Sequence, residues 1–224
     1  MTDLPDLGAY DLPAAFGVTL RLAVYSAAGS LVWGTVLAGL RVGPVPSMRA
    51  FAAVYVTVLR NTPLTVIIVA ASLGFHQTLG VTLGGETAKQ AGFRLAVLGL
   101  AAYTATFVCE SLRAGINSVP AGQAEAARAL GMSFTQVLGL VVLPQAFRAM
   151  IAPLATVLMS LTKNTSVAAA IGVGEAALLM KEMIENESHA VFAVFAVFAF
   201  GFVCLTLPMG LLAGWVGRRV AVRR

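Results

Sequence analysis

The chain has 224 residues, of which 58% are hydrophobic and 11% charged, with a mean hydropathy of +0.87 and a net charge of +5. That balance excludes an ordinary water-soluble domain, which has no means of hiding so much apolar surface. It also sets aside a nucleic-acid-binding reading of the basic residues, whose placement in so apolar a chain is an orientation signal.

Five apolar runs, near 16–40, 48–75, 94–115, 145–172 and 189–216, are long enough to cross a bilayer, since a transmembrane helix needs roughly 20 mostly apolar residues. They leave little room for a soluble domain. Residues 1–224 therefore read as one all-α membrane domain of about five transmembrane helices. Ahead of the first run stand Asp3, Asp6 and Asp11, with no Lys or Arg before Arg21. A cleaved signal peptide begins with a positive segment, so the first helix is expected to stay. Gly29, Gly34 and Gly39 in it permit close helix approach.

Arg60 stands near the middle of the second run, followed by Asn61, Thr62 and Pro63. Proline removes a backbone donor and bends the helix, and a charge at mid-bilayer faces a cavity or a partner. Arg60 with Thr62 suits a solute carboxylate, because the guanidinium fork matches two oxygens; the alternative is an ion pair holding two helices together. In the third run Glu110 and Arg113, three residues apart, are expected to neutralise one another. Cys109 and Cys204 both lie inside runs and read as small packing residues without a redox role.

Residues 117–144 break the apolar pattern. Pro120 suits a first helical position, Glu125 and Arg128 can pair on one face, and Ala124, Ala126, Ala127 and Ala129 keep the surface smooth. Gly131 can take the left-handed conformation that ends a helix. Ser133 and Gln136 then form a capping-box pattern that starts a second helix, which Pro144 is expected to interrupt. The result is a helix–Gly–helix elbow whose smooth first helix fits the groove of another protein.

The fourth run carries Lys163-Asn164-Thr165-Ser166. Lys163 falls mid-membrane if the helix proper begins at Pro153 and near the outer boundary if it begins at Pro144; Lys163 and Ser166 line the path or only snorkel and pack. Glu175 follows a stretch of small residues and meets either a solute's ammonium or the external water. His76 and His189 lie in separate segments, so neither a metal site nor covalent catalysis is proposed.

Loop charge gives the orientation. The 41–49 link has Arg41 and Arg49 without an acid; the 117–148 link has Arg128 and Arg148 against Glu125; the tail has Arg218, Arg219, Arg223 and Arg224. These face the cytoplasm. The 76–93 link, with His76, Glu86 and Lys89, and the acidic link around 174–188 face outward. Five spans with the N-terminus outside and the C-terminus inside satisfy every loop.

Glu125-Ala126-Ala127, three residues, Gly131, nine residues and Val141-x-Leu143-Pro144 resemble the EAA loop of permease subunits of binding-protein-dependent ABC importers, with Val in place of the usual Ile. Leu59-Arg60-Asn61-Thr62-Pro63-Leu64, Ala102-Tyr103, Arg113-Ala114-Gly115-Ile116, Val119-Pro120-x-Gly122-Gln123, Leu143-Pro144-Gln145-Ala146 and Leu161-Thr162-Lys163-Asn164-Thr165-Ser166 follow the polar amino-acid branch in the same order. The likeness extends over about residues 17 to 216. Cys109-Glu110-Ser111-Leu112-Arg113 places an acid later than many members do and is similar to the glutamate permeases of the family.

The resemblance implies a non-catalytic translocation subunit of the cell (inner) membrane, with Glu125, Ala126, Ala127, Arg128 and Gly131 docking an ATPase in the cytoplasm. It also implies a second permease subunit (a hetero-pair, with a homodimer as the alternative), an external solute-binding protein, and ATP and Mg held by the partner ATPase. The implied solute is a polar or acidic amino acid, glutamate preferred, at Arg60, Thr62, Lys163, Ser166 and Glu175. The sequence contains no G-x-x-x-x-G-K-[ST] phosphate loop, so no cofactor is assigned to this chain. The rival class, an ion-coupled secondary transporter, calls for an inverted internal repeat, and none is visible. A membrane enzyme calls for clustered catalytic groups, which are also absent.

Overall fold

The computed structural model describes residues 7–85 and 87–220 and is helical throughout its spans. Asp3, Asp6, Glu86, Arg223 and Arg224, which entered the reading of loop charge, lie outside the described residues.

Helix α1 (Leu12–Val42) begins where Asp11 accepts a hydrogen bond from the Ala14 N–H at 2.9 Å, with Pro13 in the first turn. An acceptor at the N-cap satisfies a donor that the helix leaves unpaired, and proline there lacks a donor to waste. α4 (Ala88–Asn117) is capped in the same way by Thr87, which accepts from the Gln90 N–H. The two helices run parallel: Gly29 meets Ala101, Gly34 meets Val108, and the Arg41 guanidinium reaches Glu110. A Cβ on Gly34 would stand 2.6 Å from Val108 and 2.9 Å from the Ala105 carbonyl, so that position is fixed by contact. Gly39, by contrast, has nothing within 4 Å and plays no such part. Lipid tails are as apolar as leucine, so membrane helices hold together by close packing of small residues rather than by burial from water. Here the small residues at the seams are Gly29, Gly34, Ala101 and Ala105.

α4 is the centre of the bundle, with 61% of its apolar window buried, and its residues enter the packed clusters shared with α1, α2 and α3. The second apolar run is not one helix. α2 (Pro46–Asn61) ends at Thr62, Pro63 caps α3 (Leu64–Ala71), and the two axes bend by 102°. α3 continues as a π-helical stretch, Ser72–Thr78. The expected proline bend is therefore a full break, because the residue before proline is driven to extended backbone and Thr62 adopts it.

α5 (Ala121–Ala129) follows α4 directly. α6 (Phe134–Gln136), a π-helical stretch Val137–Val142 and α7 (Leu143–Asn164) then form one continuous helical path ending in a 3₁₀ segment, Thr165–Ile171. Pro144 was expected to interrupt this path and does not. It occupies the first turn of α7, and the preceding π-helical turns absorb its missing donor.

α8 (Ala176–Asn186) is short, and α9 (Val191–Val220) closes the bundle. Phe16 of α1 stacks on Phe198 at 5.7 Å between centroids and meets Phe202 edge-on, joining the first and last helices. Only 17% of the apolar window from Ser188 to Val216 is buried, so most of that surface faces outward. Among the described residues, four helices are long and apolar enough to span a membrane, and the bent α2–α3 pair, taken as one span, makes a fifth.

Candidate functional site

The polar insert folds into a corner. Pro120 is the N-cap of α5 rather than its first helical residue, with φ −57° and ψ 129°. The Glu125–Arg128 ion pair expected from their spacing is not formed; both side chains are exposed and unpaired among the described residues. Gly131 has φ +87°, the left-handed conformation required of the corner, and little space constrains it otherwise. Ser133 and Gln136 form the reciprocal capping box: the Gln136 N–H donates to Ser133 Oγ, and the Ser133 N–H donates to Gln136 Oε1.

The three Ala and Glu residues of the motif divide by face. Ala127 is buried against Val137 and Val142, with Ala124 beside it, and this apolar patch seats α5 on the start of the long helix. Glu125, Ala126 and Arg128 point away from that seat. Two further apolar residues of the corner are exposed, Leu130 at 85% and Phe134 at 68%. Sequence reasoning passed over them, although each flanks a punctuation residue, Leu130 before Gly131 and Phe134 after the Ser133 cap. A polar tether braces the same corner. The Gln145 amide donates to Gln123 Oε1 at 2.6 Å and to the Val141 carbonyl at 2.9 Å, joining α5 to α7. Gly115 lets α7 pack on α4, since a Cβ there would sit 2.9 Å from the Ala146 carbonyl.

Further along α7, Lys163 lines a cavity of about 360 Å³ between α7 and α9, with Thr156, Ser160 and Thr206 on its walls. The hydroxyls of Thr156 and Thr206 return to their own helices, to the Ala152 and Phe202 carbonyls. The exposed Lys163 ammonium has no hydrogen-bond or ion-pair partner among the described residues, so its charge stands uncompensated at this cavity. The helix runs unbroken from Leu143 through Pro153, which puts Lys163 about 30 Å along it, in agreement with the count from Pro144. Ser166 lies in the 3₁₀ segment and donates to the Lys163 carbonyl rather than lining the cavity.

Arg60 is exposed at the end of α2 and makes no ion pair among the described residues, so it does not hold two helices together within this chain. The Thr62 hydroxyl donates back to the Val58 carbonyl. Leu64, just past the break, shares a packed cluster with Leu161. The Arg60–Thr62 segment is thus tied to the region of α7 that precedes Lys163. Glu110 takes Arg41 of α1 as its near partner, with Arg113 at 3.7 Å; the expected local pair is extended into a bridge between helices.

Glu175 meets neither the external water nor an open cavity. It is fully buried as the N-cap of α8, accepting from the Ala177 and Leu178 N–H groups at 2.9 and 3.0 Å. The Thr19 hydroxyl of α1 donates at 3.4 Å to Glu175 Oε2, the oxygen that also takes the Ala177 N–H, and accepts from the Ala176 N–H. Burial pushes the Glu175 carboxyl above the ordinary carboxylate range, and the hydrogen bonds from Ala177, Leu178 and Thr19 pull the other way.

Comparison with known proteins agrees with this architecture. Residues 12–222 match the family described as binding-protein-dependent transport system inner membrane component. The glutamate transport system permease protein GluC of Corynebacterium efficiens is 52% identical over 98% of this chain and 97% of its own length. The glutamate/aspartate import permease protein GltK of Escherichia coli O6:H1 is 32% identical over 91% of each chain. Among solved structures, an amino acid ABC transporter crystallised with histidines superposes with a TM-score of 0.79 over 93% of each chain, at 24% identity. The methionine transporter MetNI superposes at 0.74, with 18% identity over 97% of this chain and 99% of that one. This chain belongs to the family of inner-membrane permease components of binding-protein-dependent transport systems.

Proposed function

We propose that the chain forms one wall of the translocation path for an acidic amino acid, glutamate first, in an importer whose ATP is bound and hydrolysed, with Mg, by separate subunits. The observation that carries this reading is the braced corner. α5 is seated through Ala127 and tied by Gln123 to Gln145 of α7, and past the Gly131 corner α6 runs without a break into the α7 helix on which Lys163 lines a cavity. A displacement applied at the corner is therefore delivered to the cavity wall.

In this reading the corner is cytoplasmic, with the N-terminus outside and the C-terminus inside, as the loop charges support. Glu125, Ala126, Arg128, Leu130 and Phe134 contact the ATPase, while Ala127 and Gly131 set the shape of the contact. A helix laid in a groove with a few exposed apolar anchors is a recurring mode of recognition. The unneutralised cations Arg60 and Lys163, with Thr62 and Ser166 shaping their backbone, attract the carboxylates. Glu175 supports α8 from outside that path. A second permease chain, different from this one, covers part of the outward apolar surface of α9, and an external binding protein delivers the solute. The glutamate-permease relatives support the choice of solute.

The test is uptake of labelled glutamate by vesicles holding the chain with its partner permease, ATPase and binding protein. Uptake is expected to require ATP and every partner. Glu125→Ala combined with Gly131→Val is expected to cut ATPase co-purification about tenfold or more with the spans still inserted, and Lys163→Ala to lower glutamate uptake with ATPase binding intact. Uptake by the chain alone on a proton or sodium gradient would overturn the reading.

A further inference from the structure

A second cavity, of about 980 Å³, lies away from the corner and from Lys163, between the first turns of α1 and α4 and the link that leads into α8. Three cations line it, Arg21 from α1 and Lys89 and Arg94 from α4, against one acid, Glu182. None of the three forms an ion pair among the described residues. The Arg21 Nε donates to the Gly17 carbonyl and Arg94 to the Leu83 carbonyl, which fixes both stems and leaves their charge without an ion-pair partner among the described residues; the Lys89 ammonium has no partner among them either.

Because α1 and α4 run parallel, these cations gather at one end of the bundle, the end that loop charge assigns to the exterior. Cations there run against the usual distribution of charge, and cations set into the ends of spans face a cavity or a counter-charge. Further along the helices the wall changes character. Tyr25, Val97 and Leu98 continue it, and Tyr25 and Leu98 are 56% and 54% exposed. Lys89 to Leu98 is about 13 Å of helix rise. The cavity is thus cationic at the end of the spans, apolar deeper in, and open sideways from the bundle.

We propose that this cavity holds an anionic phospholipid, its phosphate between Arg21, Lys89 and Arg94 and an acyl chain along Tyr25, Val97 and Leu98. A free acidic amino acid supplies the same oxyanion chemistry but has nothing to lay along the exposed apolar wall. Basic pockets between transmembrane helices take lipid headgroups for the same electrostatic reason. The bound lipid bridges α1, α4 and the Gly172–Gly174 link, where the central helices meet the start of α8.

The experiment uses the complete transporter reconstituted in nanodiscs of equal phosphatidylglycerol and phosphatidylcholine, then delipidated, with the retained lipid measured by mass spectrometry. The wild-type assembly is expected to retain phosphatidylglycerol selectively. The triple variant R21Q/K89Q/R94Q is expected to lose that selectivity, about fivefold per charge and on the order of a hundredfold together. Leu98→Trp, which crowds the apolar wall and keeps the charges, is expected to lower retention as well. Equal retention of the two lipids by the wild type overturns the proposal whether or not the variants assemble, as does unchanged selectivity in an assembled triple variant. Displacement of the retained lipid by millimolar glutamate would make this a solute site and overturn it too.

Discussion

Glu175 shows how one buried carboxylate can serve the fold rather than the transported solute. Its oxygens satisfy the first donors of α8 and meet Thr19, so this side chain ties the start of α8 to α1. Glu175→Ala leaves buried N–H groups without a partner, an expected cost of about 1–3 kcal/mol. The pH dependence has a definite sign. A carboxyl whose folded pKa is raised keeps its proton after the unfolded chain has released one, so stability falls as pH rises from the ordinary carboxylate range through the folded value. Thermal unfolding of the detergent-purified chain across that range is expected to show this fall in the wild type and a flat profile in Glu175→Gln. A wild-type stability that rises with pH would contradict it. The sequence made Glu175 visible only as an acid after small residues; nothing local to it announced Thr19, which lies more than 150 positions earlier.

At the scale of elements, contacts between small residues and aromatics decide which helices touch. The Phe16 ring tip lies directly against Gly201, so a Cβ at that position would collide with it and force the ring to shift. Gly201→Ala is expected to cost about 1–3 kcal/mol by overpacking. Phe16→Leu in the same chain is expected to recover part of the loss, a coupling that a double-mutant cycle of melting temperatures would measure. Additive effects would mean that the two side chains do not meet. The elements themselves were largely legible. The five apolar runs, the left-handed Gly131 and the Ser133–Gln136 capping box all appear in the structure, because each depends on local composition or on a few adjacent residues. Pro144 and Pro63 were harder to read. One is tolerated within a continuous path and the other breaks a span by 102°, and the difference lies in the preceding backbone, π-helical before Pro144 and extended before Pro63.

At the scale of the whole molecule, the proposed transmission from corner to cavity calls for rigidity. The Gln123–Gln145 hydrogen bond and the Ala127 seat keep α5 from swinging independently of α7. Gln123→Ala with Gln145→Ala is expected to leave ATPase co-purification near wild type and to lower the glutamate carried per ATP hydrolysed severalfold. The ratio of labelled uptake to phosphate release in proteoliposomes checks this, and an unchanged ratio would show that the bridge does not transmit the stroke. This outcome differs from loss of docking, which lowers both quantities together.

The sequence by itself determined that the chain is helical, crosses the membrane about five times, and carries an ordered motif set that marks its family, because hydropathy, caps and turns are written in neighbouring residues. Only the tertiary structure decided which charges stay uncompensated and which are absorbed. Lys163 lines a cavity with its ammonium unpaired among the described residues, Glu110 finds Arg41 on another helix, and Glu175 disappears into a cap. Those outcomes follow from which distant helices pack together, and a buried or paired charge is a property of that packing.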